Sequence, residues 1–228
     1  MSYLSYLLDA SKWGGAGGTG QLLLQHLAYT AAAVAVGAII AIPLGILIGH
    51  TGRGGFLVIG LSNAARAIPS IGLLVLVVLA TSTGFGPTVL VLAVLALPAI
   101  LTATSAGVSG ADPDAVYAAR ALGMTGGQIV SKVEWPLALP LVISGLRSAT
   151  LQVVATATVA AFAAGGGLGQ LLISGQRSRD YSQMFAGAVL IAGLAIVLDL
   201  LIGSVGLLAS RRVRPAAKTR PGAAPVRA

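Results

Sequence analysis

Long stretches without charged residues decide what this chain can fold into. Residues 27–49 carry no charged side chain, and about 20 apolar residues are enough for a helix to cross a bilayer. Four later stretches have the same apolar character: about 67–82, 87–108, 137–164 with Arg147 inside it, and 185–209 with Asp199 inside it. We therefore predict an all-α polytopic membrane protein with about five transmembrane helices in its core.

The composition agrees with a chain that lies mostly within a lipid bilayer. Hydrophobic residues make up 56% of the 228 residues and charged residues 9%, and the mean hydropathy of +0.93 is well above that of a soluble domain. The absence of cysteine excludes disulfides and thiolate metal sites. Because His26 and His50 are far apart in the sequence, we expect no metal centre.

The distribution of basic residues predicts the orientation in the membrane. With five spans, a cytoplasmic C-terminus puts 11 of the 14 basic residues inside, where membrane proteins carry an excess of lysine and arginine. The inner set is Arg53, Arg66, Arg120, Lys132, Arg147 and six tail residues, and the outer set is Lys12, Arg177 and Arg179. We therefore predict a multi-pass cell-membrane protein with its N-terminus outside. This bias explains the net charge of +8 without a nucleic-acid partner.

Three regions follow from this orientation: an external segment 1–25, a transmembrane domain 26–210, and a basic cytoplasmic tail 211–228 that we expect to be disordered. Residues 1–13 suggest a short helix on the outer membrane surface. The following GGAGGTGQ lacks the lysine and hydroxyl residue of a phosphate-binding P-loop, since Gln21 and Leu22 follow its last glycine. We interpret it as a flexible linker, and expect any driving ATP to be bound by another chain.

One polar segment, residues 111–140, separates two of the apolar stretches. Asp112 followed by Pro113 has the pattern of a helix start, because an aspartate can cap the first amides and proline has no amide to satisfy. This helix would run to Leu122. Gly123 would end it in a left-handed conformation.

A second short helix is predicted after this turn. Thr125 and Gln128 have capping-box spacing, and we expect Pro136 to end the helix, since proline lacks the donor that a helix interior needs. Two short helices joined by a sharp turn would form a rigid cytoplasmic element. Such an element either docks a partner or lies at the interface without one, and the residues alone leave both interpretations open.

The spacing within this segment resembles the cytoplasmic signature of type I ABC importer permeases. The family pattern is Glu-Ala-Ala, three residues, Gly, nine residues, Ile, one residue, Leu-Pro. The matching positions here are Tyr117, Ala118, Ala119, Gly123, Val133, Trp135 and Pro136, with Arg120 and Glu134 at variable positions. Tyr117, Val133 and Trp135 differ from the family residues, and the last two remain apolar. The resemblance implies that the first short helix is a coupling helix seated in a groove of an ATPase.

Four further stretches resemble the small permeases of osmoprotectant importers: IAIPLGILIGH, ARAIPSIGLLVL, GLRSATLQVVATATVAAF and AGGGLG. Those permeases have the MetI-like permease fold and carry glycine betaine, choline or carnitine, although methionine and sulfonate permeases share much of this layout. The resemblance, over about residues 20–210, implies a dimer with a second permease copy or paralogue. It also implies two ABC ATPase subunits that bind the ATP and an extracytoplasmic solute-binding protein. Transport by alternating access needs no catalytic residue, metal or cofactor in this chain, so we do not expect an enzyme.

Two charges fall inside the predicted spans. At a rise of about 1.5 Å per residue, Arg147 and Asp199 lie at similar depths in the cytoplasmic half. A charge at mid-membrane costs roughly 2.5–3.5 kcal/mol on insertion scales, so each needs a partner or water. The two form either a gating pair in the pathway or a structural ion pair, unless Arg147 reaches the interface alone.

Aromatic rings that could hold a quaternary ammonium group are few. Such a cation is usually bound in a cage of rings, and the membrane stretches offer Tyr29, Phe85 and Phe162. We expect these rings to be scattered and to serve in packing. Solute selectivity would then lie mostly in the binding protein.

Two other classes of membrane protein fit the sequence less well. A secondary transporter would need ionisable groups at the midplane and two halves related by an inverted repeat. The spans offer one acid and one arginine, and no repeat is visible in the sequence. A purely structural membrane protein would have no signature segment.

Overall fold

The computed structural model of the chain describes residues 4–56, 58, 60, 64, 67, 69–164 and 166–211. The predicted disordered tail therefore lies outside the described residues from position 212 onward, as does Arg66. The secondary structure of the described part is helical, which confirms the all-α class. Its helices are α1 (Ser5–Leu8), α2 (Thr19–Thr51), α3 (Ser70–Ala80), α4 (Phe85–Ser109), α5 (Pro113–Ala121), α6 (Gly126–Ile129), α7 (Trp135–Ala164), α8 (Gly169–Ser178) and α9 (Tyr181–Arg211), with a 3-10 turn at Ala10–Lys12 and a π-helical turn at Val130–Glu134.

Four helices of the described chain are long and apolar enough to cross a membrane. They are α2, α4, α9 and the continuous helix Gly126–Ala163, which contains α6 and most of α7. Helices α2, α4 and α9 correspond to the first, third and fifth predicted spans, and the helix Gly126–Ala163 corresponds to the fourth. The apolar stretches therefore located four of the five spans correctly.

The predicted second span, 67–82, is shorter than expected. Its helix α3 has 11 residues, about 16 Å at a rise of 1.5 Å per residue, and the hydrocarbon core is about 30 Å thick. Pro69 precedes it with an extended backbone, and Thr81 follows it with a non-helical one. The described residues of this stretch therefore do not form a helix of spanning length.

The helix α2 begins at Thr19, well before the predicted start of the first span at residue 27. The polar side chains in its first turns bind the chain itself. The Gln25 Oε1 accepts the N–H of Gly167 at 3.2 Å, and the His26 Nδ1 accepts that of Leu168 at 3.3 Å. A count of apolar residues misses this start, and the domain boundary predicted at position 26 falls inside α2.

The glycine-rich stretch before α2 is a hydrogen-bonded turn. Gly15 and Gly17 have φ values of +85° and +79°. The Gly17 N–H donates to the Gln21 side chain at 2.7 Å, and the Gly20 N–H donates to the Trp13 carbonyl at 3.2 Å. The predicted linker is therefore a turn with a defined path, held by its own backbone and by α2.

Helices α2 and α4 pack with their backbones close together. The small-residue stripe on α2 recurs every four positions and is buried throughout: Ala33, Gly37, Ala41, Gly45 and Gly49. A Cβ added at Gly45 would lie 2.6 Å from the Cβ of Thr104, and one at Gly49 would lie 2.7 Å from that of Val108. Small residues allow such close approach between membrane helices, so the stripe fixes α2 on α4.

Helix α7 packs on α4, and α9 packs on α7. A Cβ added at Gly145 of α7 would overlap the side chain of Ala103, and one at Gly107 of α4 would lie 3.1 Å from the Cβ of Ala138. On the other side of α7, Gly206 of α9 lies against Ile143. The polar segment 111–140 joins α4 to α7 at one end of this packed set.

Candidate functional site

The first short helix of the polar segment begins as predicted. The Asp112 carboxylate accepts the backbone N–H of Asp114 at 2.9 Å, and Pro113 occupies the first helical position. The cap satisfies a donor that has no partner within the helix, and proline brings no such donor. The predicted start of α5 is therefore confirmed.

The sharp turn after α5 is built on Gly123. Its φ is +76°, a conformation that glycine adopts without steric penalty. The Gly123 N–H donates to the Arg120 carbonyl at 2.9 Å, and the Met124 N–H donates to the Ala119 carbonyl at 3.1 Å. These are the two hydrogen bonds of a Schellman motif, so the left-handed stop predicted at Gly123 is confirmed.

The start of the second short helix is also as predicted. The Gln128 N–H donates to the Thr125 Oγ1 at 3.4 Å, and the Thr125 N–H donates to the Gln128 Oε1 at 2.8 Å. This reciprocal capping box lies directly after the turn at Gly123. Hydrogen bonds on both sides of the turn therefore set the angle between α5 and α6.

The prediction that the second short helix ends at Pro136 is wrong. Helix α6 passes through the π-helical turn Val130–Glu134 into α7, and the Trp135 N–H donates to the carbonyl of Val130, five residues earlier. Proline breaks an α-helix because it lacks an N–H and its ring meets the carbonyl four residues before. A π turn widens the helix at this point, so the chain continues through the proline.

The signature residues differ in exposure. The exposed residues are Tyr117, Ala118, Arg120 and Gly123. The half-buried residues are Val133 and Pro136, and the buried ones are Ala119 and Glu134. Tyr117 is 76% exposed, and Leu122, beside the turn, is 81% exposed. Large apolar side chains that project from a polar segment suit a surface that another protein covers.

A hydrogen bond between side chains of distant helices joins this segment to α2. The His50 Nδ1 lies 2.7 Å from the Glu134 Oε2, with side-chain exposures of 25% and 7%. His50 lies in the last turn of α2. In the sequence, His50 and Glu134 each stand out only as a polar residue among apolar neighbours. Nothing in the sequence indicates that these two positions, 84 residues apart, are in contact.

The structure also brings together the two charges predicted inside the membrane. The Arg147 Nε donates to the Asp199 Oδ1 at 2.7 Å, and the Arg147 Nη2 donates to the Asp199 Oδ2 at 2.5 Å. This bidentate arrangement is stronger than a single hydrogen bond. The side chains are 43% and 25% exposed. They line a cavity of about 460 Å³ between α7 and α9.

At the opposite end of α2, His26 fastens the loop between α7 and α8. The imidazole is fully buried; its Nε2 lies 3.2 Å from the Val154 carbonyl, and its Nδ1 accepts the Leu168 N–H. Both contacts are satisfied by the neutral tautomer with its proton on Nε2. Within the described residues, no group of three or more His, Cys, Asp or Glu residues is placed to hold a metal ion.

Two of the three membrane aromatic rings are in contact. Tyr29 and Phe85 are stacked, with centroids 5.1 Å apart and ring planes 22° from parallel. The expectation that the rings are scattered is therefore wrong for this pair, because the start of α4 packs against α2. Tyr29 also packs against the main hydrophobic core, which agrees with a packing role.

Residues 41–215 match the family described as the binding-protein-dependent transport system inner membrane component. The chain belongs to this family. Membership fits the signature spacing around Gly123 and identifies the protein as a multi-pass permease of the inner membrane. As a transport component, the permease works within a system that includes a binding protein.

Curated relatives of this permease match it along most of their length. The glycine betaine/carnitine/choline transport system permease protein OpuCB of Bacillus subtilis strain 168 is 31% identical over 191 residues, which are 84% of this chain and 86% of that protein. The osmoprotectant import permease protein OsmW of Salmonella typhimurium strain LT2 is 35% identical over 207 residues, which are 89% and 94% of the two chains.

A solved structure shares the fold of this permease. The inward-facing MetNI methionine ABC transporter matches with a TM-score of 0.72 and 25% identity, over 94% of this chain and 100% of that chain. The predicted permease fold is therefore confirmed. The individual roles of the signature residues 117–136 and of the Arg147–Asp199 pair remain predictions.

Proposed function

We propose that this permease is the transmembrane subunit of an ATP-driven importer for compatible solutes with a quaternary ammonium group, such as glycine betaine, choline or carnitine. The observation that carries the proposal is its similarity, along most of both chains, to permeases named for these solutes or for osmoprotectants. Solute selectivity would lie mostly in the binding protein, since Tyr29, one of the few membrane rings, packs against the hydrophobic core.

In this proposal ATP is bound by separate ABC ATPase subunits, because the chain lacks the P-loop residues. Two permeases, identical or paralogous, form the pathway, and an extracytoplasmic protein delivers the solute. Helix α5 is the coupling helix, and the exposed side chains of Tyr117 and Leu122 face the groove of the ATPase. The caps around Gly123 support this role because they give the docking element a fixed shape.

Alternating access then follows from the backbone connections of the segment. When ATP draws the ATPases together, each carries a coupling helix with it. Because α6 continues through the π-helical turn into α7, the segment is connected to a membrane helix without a loop, and its displacement reaches that helix when the π-helical turn does not bend. No proton or ion chemistry is required of the permease itself.

Transport by the purified system tests the proposal. We expect proteoliposomes that contain the permease and its ATPase to accumulate labelled glycine betaine, choline or carnitine, and to do so only with both ATP and the loaded binding protein. Liposomes without the binding protein are the control. Uptake of methionine and of none of the three would assign the permease to another solute class, and ATP-independent uptake driven by an ion gradient would refute the importer.

The proposed orientation, with the N-terminus outside and the C-terminus in the cytoplasm, requires a fifth crossing in addition to the four long helices, and it is testable by labelling. The chain has no native cysteine, so each introduced one reports alone. We expect Ala16→Cys, in the exposed turn before α2, to react with an impermeant reagent added outside, and Ala217→Cys to react only after lysis. Gly18 is unsuitable, because a Cβ there would overlap the Gly14 carbonyl oxygen. Labelling of opposite sidedness would reverse the orientation.

A further inference from the structure

The cytoplasmic segment is attached to the membrane helices by two joints that can bend. The first is the short non-helical connection 110–112 between α4 and α5. The second is the π-helical turn Val130–Glu134 between α6 and α7, and interruptions of this kind are where helices kink. A docking element mounted on two such joints could swing without moving the bundle.

Packing does not close the space beneath the segment. A cavity of about 330 Å³ separates the ends of α2 and α4 from α5, and its lining includes His50, Val108, Tyr117 and Glu134. On this side the segment therefore lies over an open groove at the ends of α2 and α4.

The hydrogen bond between His50 and Glu134 crosses beside this space. Glu134 is the last residue of the π-helical turn, and His50 lies in the last turn of α2, which the small-residue stripe fixes on α4. A carboxylate that is 7% exposed has little access to water, and a buried charge that loses its partner is strongly destabilised. The pair therefore resists separation.

We propose that His50 and Glu134 form a latch that holds the π-helical joint against α2, so that displacement of the coupling segment moves the membrane helices instead of bending the joint. The inference rests on the proposed function, since the displacement comes from the ATPase. Both residues are positioning residues: neither touches solute or ATP.

Variants at position 50 separate the hydrogen bond from the rest of the side chain. Asparagine places an amide N–H close to the position of the imidazole Nδ1, whereas leucine keeps apolar bulk and removes the donor. The double variant His50→Leu with Glu134→Leu removes the unpaired carboxylate as well. Thr51→Ala is the matched control, because Thr51 is exposed and lies in the same helical turn. Its hydroxyl donates to the Leu47 carbonyl and accepts the Arg53 N–H, so both hydrogen bonds stay at the end of α2.

In the reconstituted complex we expect His50→Leu and the double variant to lose about fivefold or more of the ATPase stimulation by loaded binding protein, the size of a typical coupling between sites. Solute transported per ATP should fall in parallel. His50→Asn and Thr51→Ala should remain within about twofold of the wild type. Wild-type coupling in the double variant, or a loss in His50→Asn as large as in His50→Leu, would overturn the latch.

A distance measurement tests the latch independently of transport. Spin labels at Arg53, just after α2, and at the exposed Gly127 of α6, where an added Cβ meets open space, should give one narrow distance distribution in the wild-type complex with and without ATP. In His50→Leu we expect a broader or shifted distribution, and an unchanged one would overturn the proposal. If the wild-type complex transports no solute, the proposed function fails, while this distance comparison still decides whether the pair holds the segment.

Discussion

Replacing Gly123 by valine is expected to reduce solute transport about tenfold or more, with normal amounts of permease in the membrane. The φ of +76° strains a β-branched residue by on the order of 1–3 kcal/mol, and about 1.4 kcal/mol corresponds to a factor of ten. No atom of the described chain lies within 4 Å of a Cβ added at Gly123, so the effect comes from the backbone. Relief of the strain would change the angle between α5 and α6 and misplace the coupling helix. Solute uptake and binding-protein-stimulated ATPase activity measure the loss.

Gly127 offers a matched control for this experiment. A Cβ at Gly127 also meets open space, but its φ is not in the positive range, so Gly127→Val should transport nearly as well as the wild type. Gly123→Asn should retain most activity, because asparagine tolerates the left-handed conformation. Wild-type transport by Gly123→Val, or equal losses at both glycines, would remove the support for a rigid docking turn. Absence of Gly123→Val from the membrane would point to folding instead.

Neutralising either Arg147 or Asp199 alone is expected to lower the yield and thermal stability of the permease more than neutralising both. Each single change leaves a lone charge in a membrane helix, where an unpaired charge is unfavourable. The double change removes the bidentate pair but leaves no uncompensated charge. Membrane yield and the midpoint of thermal unfolding in detergent should therefore rank Arg147→Gln and Asp199→Asn below the double variant.

Arg177→Gln provides a control for this comparison, since Arg177 is an exposed residue near the end of α8 and its neutralisation should change little. The informative quantity is the departure from additivity, because contacting residues couple and distant ones do not. Losses that simply add in the double variant would show that the two charges do not stabilise each other.

The features predicted best from the sequence depend on neighbouring residues. Asp112, Gly123 and Thr125 act on backbone groups within a few positions, so their hydrogen bonds follow from local rules of helix capping. Most of the spans were predictable for a related reason: a run of apolar residues is itself the physical requirement for crossing a bilayer. In both cases the information lies within one helix or turn.

The features that were missed depend on parts of the chain that meet only in the fold. The His50–Glu134 pair and the stack of Tyr29 on Phe85 each join two helices. The early start of α2 depends on the distant loop that its polar side chains bind. The prediction that Pro136 ends a helix assumes α-helical hydrogen bonds. The π-helical turn before Pro136 changes which carbonyl each N–H reaches, so the prediction fails.

The small-residue stripe on α2 has a mechanical consequence. Where two backbones touch, there is no layer of side chains that can slide or change rotamer, so α2 and α4 cannot roll against each other without losing their dense packing. The glycine contacts between α4 and α7 extend this rigidity to a third helix. These three helices then move as one rigid body. Opening and closing of a transport pathway would then require movement of this rigid body as a whole instead of sliding between its helices.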